Sequence, residues 1–154
     1  MKMLLLAAGI GSCLVSGVLL AFSSFVMSGL ARIPAASGIA AMQSINITVV
    51  NPLFMGLFMG MGAVSIAALV VNFRANGFEL TAGNAAAVIY LLGVLGVTFV
   101  ANVPMNDALA GIDPAASASA EYWKGYVSSW TMWNHLRCAA ALVAGILFLV
   151  DRLW

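Results

Sequence analysis

The stretch WTMWNHLRCAAALVAGILFLV, residues 130–150, decides the fold. Its uninterrupted apolar part, Cys138 to Val150, holds 13 residues, whereas a helix needs about 20 to cross a bilayer. The missing turns must come from upstream, which carries Trp130, Trp133, Asn134, His135 and Arg137 into the helix at or just below the membrane interface. Polar and ionisable groups at that depth are costly, about 2.5–3.5 kcal/mol for an arginine on insertion scales, and they mark candidates for function.

Working outward, three more apolar runs precede this one. Lys2 leads into a run from Met3 to Met27, longer than the apolar core of a signal peptide and therefore expected to be a retained first helix. Its small residues Gly9, Cys13, Gly17 and Ala21 recur every fourth position, a spacing that lets a neighbouring helix approach. Ala35 to Ile45 is only moderately apolar and is expected to lie in the interface. Asn51-Pro52 is a start signal, since Asn caps free amides and Pro fits the first helical position. The Gly56–Gly60 pair of that second span reads as a tight packing surface. Asn84 caps a third span, and Pro104 is expected to stop it at Val103. The spans are expected at 3–27, 52–73, 84–103 and 130–150, with a solvated loop over 105–121.

Composition agrees. Of 154 residues 64% are hydrophobic and 7% charged, against about one-quarter charged in ordinary soluble domains. The fold class is all-α, an integral membrane up-and-down four-helix bundle, and the 154 residues leave room for one transmembrane domain over 1–154. A net charge of +1 with scattered Lys and Arg excludes a nucleic-acid partner. Cys13 and Cys138 fall in apolar runs at different depths, so a disulfide between them is not expected.

An up-and-down bundle gathers one set of helix ends on one membrane face. There the sequence places Ser23, Ser24, Ser28, Arg32, Asn46, Asn51, Asn102, Asn106, Asp107, Trp130, Trp133, Asn134, His135 and Arg137, a concentration the other end lacks. At about 100° per residue Trp133, Arg137, Trp130, Asn134 and His135 cover roughly half of their helix, and together with Asn102 and Asn106 they are expected to line a pocket. Two plainer roles compete: interfacial anchoring by Trp and Arg, and an interhelical hydrogen-bond network that only fixes packing. One histidine is poor material for a metal site, and none is expected. Haem held by two histidines of this chain is excluded, while His/Met ligation stays open with nine Met present.

The segments Arg32-Ile33-Pro34, GIAAMQSIN (38–46), Asn51-Pro52-Leu53-Phe54, NVPMNDAL (102–109) and WTMWNHLR (130–137) together resemble the anthrone oxygenase family of small four-helix membrane proteins. The likeness covers nearly the whole chain. It implies oxidation of an anthrone-like or other apolar aromatic small molecule by molecular oxygen as co-substrate, with no further cofactor. In that chemistry a base removes an acidic benzylic proton. His135, an imidazole that titrates near neutrality, is the expected general base. Arg137 and Asn134, with Asn102 or Asn106, would stabilise the oxyanion, and Trp130 and Trp133 would stack on the substrate. Asn46, Asn51 and Arg32 are further expected substrate contacts, and Asp107 is expected to orient His135 or Arg137 or to be solvated. The alternatives are a non-catalytic haem- or quinone-binding membrane subunit and a structural bundle. Lys2, Arg74 and Arg152 weigh slightly towards cytoplasmic termini, with the pocket on the opposite side. The small-residue patterns leave a homo-oligomer open.

Overall fold

The computed structural model describes residues 2–77 and 79–153, the side chains of Asn76, Arg152 and Leu153 lying outside the described set. Its elements are α1 (Lys2–Arg32), α2 (Ala35–Thr48), α3 (Pro52–Asn76), α4 (Ala82–Ala110) and α5 (Ser119–Leu153), with no strand among the described residues. Helices α1, α3, α4 and α5 are long and apolar enough to cross a membrane, which makes this a multi-pass membrane protein. Asn51 caps α3, its Oδ1 accepting the Phe54 amide proton at 3.0 Å, and Pro52 occupies the first turn.

Small residues set the closest helix contact. Gly9 of α1 meets Gly145 of α5: a Cβ added at Gly145 would lie 2.6 Å from Cys13 Sγ and 3.1 Å from the Gly9 carbonyl oxygen, so the two backbones all but touch. Along the same antiparallel seam Ser16 Oγ donates to the Cys138 carbonyl at 3.1 Å, and Asn134 Nδ2 donates to the Leu19 carbonyl at 2.7 Å. α5 also packs on α4, and α3 closes the ring against α1 and residues 82–96 of α4. Val15, Ala86, Val94, Ala141 and Phe148 fill this core, and the buried Tyr90 hydroxyl is satisfied by the Phe58 carbonyl at 2.9 Å. Not every small residue serves the seam: side chains added at Gly17, Gly56 or Gly60 would meet nothing within 4 Å, so the Gly56–Gly60 pair makes no tight contact in the bundle.

Several boundaries differ from the sequence expectation: α1 runs on to Arg32 and α3 to Asn76, and α4 is capped not by Asn84 but by Thr81, whose Oγ1 accepts the Asn84 amide proton at 3.1 Å. α4 does not stop at Val103 but continues through Pro104 to Ala110. A proline inside a regular helix loses a hydrogen bond and drives its ring into the carbonyl four residues back. Here a wide π-helical turn over Thr98–Asn102, closed by the Val103 amide donating to the Thr98 carbonyl, re-spaces the carbonyls beneath Pro104. Likewise the stretch expected to be loop over 105–121 contracts to a short connection, because α5 begins at Ser119. Trp123, Tyr126 and Trp130, at i, i+3 and i+7, make that upstream part amphipathic and bury one face against Met27, Ile39, Met42 and Leu109.

α2 extends to Thr48 and roofs this end, packing on α5 and on the end of α4. Gln43 fastens it: its Nε2 donates to the Leu109 and Ile112 carbonyls, both at 2.9 Å, supplying donors where α4 ends.

The glycine seam leads to a stability test. Gly145→Val should overpack it and lower stability by about 1–3 kcal/mol, read as a lower thermal midpoint in detergent. Gly17→Ala, which adds its methyl to open space inside a helix, should leave the midpoint unchanged or raise it slightly. Equal midpoints for the two variants would contradict the seam.

Candidate active site

Beneath α2 the helices part. α3 packs on residues 82–96 of α4 but leaves the end of α4, and a cavity of about 490 Å³ fills the space between them, α1 and α5. This lies in the size range of small-molecule sites. Phe22, Phe54, Phe58 and Phe99 line its apolar wall, and Asn46, Thr98, Asn106, Asp107, Trp130 and Arg137 contribute the polar side.

Arg137 is the group that needs explaining. It is 6% exposed, deep in a membrane helix. Its Nη2 donates to Asn134 Oδ1 at 2.7 Å and its Nη1 to Thr98 Oγ1 at 3.2 Å, while the Trp130 ring lies 5.2 Å from its Cζ. Its Nε has no partner. Among the described residues Lys124 and Glu121 form an ion pair, and no carboxylate lies within such a distance of Arg137. Neutral dipoles and an aromatic face therefore hold a full positive charge, a costly arrangement that an anion in the cavity would relieve.

The asparagines divide by what their donors do. Asn134 Nδ2 is spent on the Leu19 carbonyl and Ser23 Oγ, each at 2.7 Å, so Asn134 acts as a bracket that aims its oxygen at Arg137. Asn102 Nδ2 donates to the Trp130 carbonyl at 3.2 Å, and Asn102 lies outside the cavity wall. Asn106 is in the wall, its Oδ1 accepting from Tyr126 Oη at 2.9 Å and Trp130 Nε1 at 2.8 Å. The Trp130 ring is thus held by Asn106 on its edge, with Phe22 beside it at 5.7 Å between centroids.

The structure sets several candidates apart from the cavity. His135 is exposed on the outer face of α5 and is not part of the cavity wall, so the expected role of general base has no geometric support. The cause is angular: Arg137, Trp130 and Asn134 span about 60° of the helix and turn inward, whereas His135 lies about 100° beyond Asn134 and points the way Met132 does. Trp133, on the other margin of that arc, lies in a shallow outer groove with Val100 and Pro104. Arg32 is exposed, and Asn51 is occupied as the α3 cap. Asn46 lines the cavity, and Asp107 lines it while remaining exposed.

Tyr126 and Thr98 joined the site without being singled out from the sequence. Tyr126 carried a signal, its i, i+3, i+7 spacing with Trp123 and Trp130. Thr98 carried none, since the π-helical turn that places it cannot be read from residue types.

No curated protein and no solved structure matches the chain. A family model described as anthrone oxygenase matches residues 52–147, which takes in α3, α4 and most of α5, including Asn106, Trp130 and Arg137. The chain belongs to the anthrone oxygenase family.

Proposed function

We propose that the chain oxidises a flat, apolar aromatic ketone of the anthrone type with molecular oxygen in this cavity, without a further cofactor. The observation that carries it is Arg137, a buried cation with no carboxylate partner, facing an aromatic-walled space. Removing a benzylic proton from an anthrone leaves an anion whose charge rests largely on the ketone oxygen. Arg137 stabilises that oxygen with a donor already fixed by Asn134 and Thr98, so little reorganisation is needed as charge develops. Trp130 and Phe22 offer aromatic faces to the ring system.

Proton removal falls to Asp107, the carboxylate in the cavity wall. The anion then gives its electron pair to oxygen, forming a C–O bond and, after protonation, a hydroperoxide. Loss of the second benzylic proton with cleavage of the O–O bond releases water and leaves a second ketone. The balance is CH2 plus O2 giving C=O plus H2O.

The same wall suits a quinone bound without turnover, its carbonyl facing Arg137. A haem held by an axial histidine finds no imidazole in the wall, because His135 faces outward. The parted helices α3 and α4, with Phe99 of the cavity wall itself exposed, suit entry from the bilayer. Cytoplasmic termini, with the cavity near the opposite surface, complete the proposal.

Oxygen uptake by the detergent-purified protein given anthrone, recorded with its visible spectrum, tests this directly. Arg137→Gln should lower kcat by about 10²–10³-fold, Asp107→Asn should also slow turnover, and His135→Phe should retain most of the rate. Uptake no faster than the spontaneous reaction would reject oxidation of anthrone, and a visible chromophore in the protein would favour a redox subunit.

A further inference from the structure

Resting on the anthrone-type reading above, we propose that Asn106 is a recognition donor in the cavity, so that the site selects ligands bearing a ketone or enolate oxygen over equally flat hydrocarbons. The orientation of its amide is not arbitrary. Oxygen and nitrogen of an asparagine side chain are similar in shape, and the neighbours decide which is which. Tyr126 Oη at 2.9 Å and Trp130 Nε1 at 2.8 Å both converge on one atom, and an indole N–H can only donate, so that atom is the oxygen.

Two donors occupy both lone pairs of Oδ1, leaving it nothing further to accept. The NH2 group on the other side of the planar amide is in the opposite situation. Asn106 is part of the cavity wall, and no hydrogen bond among the described residues engages its Nδ2. Unlike Asn102 Oδ1 and Arg137 Nε, that atom is not sealed from the cavity by surrounding protein. The corresponding nitrogens of Asn134 and Asn102 are already spent on backbone carbonyls. Beside Trp130 and the Arg137 guanidinium the wall therefore presents Asn106 Nδ2 as an open donor, for which a bound ligand can bring the acceptor.

Aspartate separates donation from structure. Asn106→Asp keeps an oxygen to accept from Tyr126 and Trp130 but replaces the NH2 with a second oxygen. Because the variant also brings a carboxylate to the wall that holds Arg137, the uncharged Asn106→Ala is measured beside it, and the preference for a ketone ligand must fall in both. Xanthone and anthracene are suitable probes, both flat tricycles without an oxidisable CH2 group, one with a ketone and one without. Their affinities for the detergent-solubilised full chain are read from quenching of tryptophan fluorescence, since Trp130 lies in the wall. In Asn106→Asp the preference for xanthone over anthracene should fall about tenfold, the scale expected for a hydrogen bond to a charged or strongly polar group. Anthracene binding should be unchanged. Should that variant fail to fold, the same ratio measured in Asn106→Ala serves, because cavity distortion acts on both ligands whereas loss of the donor acts on xanthone alone. A ratio equal to wild type in the folded variant, or no preference in wild type, overturns the proposal. If the ratio falls while wild type shows no uptake of oxygen with anthrone, ketone recognition stands and oxidation does not; uptake with an unchanged ratio gives the reverse.

Discussion

A guanidinium buried in a membrane helix without a carboxylate constrains everything around it. The charge of Arg137 must be met by fixed dipoles, and each of these needs its own anchor. Thr98 satisfies its hydroxyl proton on the Val94 carbonyl at 2.6 Å, which leaves its oxygen to accept from Arg137. Asn134 offers its oxygen only because its nitrogen is engaged by Leu19 and Ser23 of α1. That engagement requires α1 and α5 to lie close, which the Gly9–Gly145 contact lower in the same seam permits. Helix packing at one end of the bundle and charge placement at the other are thus parts of one arrangement.

The four spans were legible because membrane thickness fixes how much apolar chain a helix must show, and the shortfall from Cys138 to Val150 forced the polar residues into the last one. The concentration of polar groups at one end was legible for the same reason. Direction around the helix was not. Five notable residues between Trp130 and Arg137 cover an arc of about 200° at 100° per residue, wider than one cavity can face. Which part of the arc turns inward depends on Leu19, Ser23 and Thr98, contributed by other helices. His135 therefore drew notice from its type alone, while its position on the wheel set it beside Met132 and Leu136 on the outside.

The roof of the cavity shows a different kind of illegibility. Ser and Ala between Ala115 and Ala120 have the composition of a solvated loop, and that masked the helix starting at Ser119. The periodicity of Trp123, Tyr126 and Trp130 outweighs composition there, since burying three aromatic faces against Met27, Ile39, Met42 and Leu109 favours helix over loop. One of those aromatics, Tyr126, then fixes Asn106 in the cavity wall. A residue that looks structural in the sequence sets the chemistry of a neighbour.

π-helical turns lie at Phe22–Val26 in α1 and at Tyr90–Gly96 and Thr98–Asn102 in α4, and the first and the last of them lie where the bundle passes from its close-packed end to its open one. Each wide turn accommodates one extra residue without altering the helix on either side. They act as phase shifters: the faces that α1 and α4 present above the turns are rotated relative to the faces packed below. Insertion or deletion of a single residue within the last of these turns would swing Asn106 and Asp107 about the helix axis by about 100° while leaving the Tyr90 and Val94 packing in register. In this chain the cavity can thus be refaced without redesigning the core that holds the helices together.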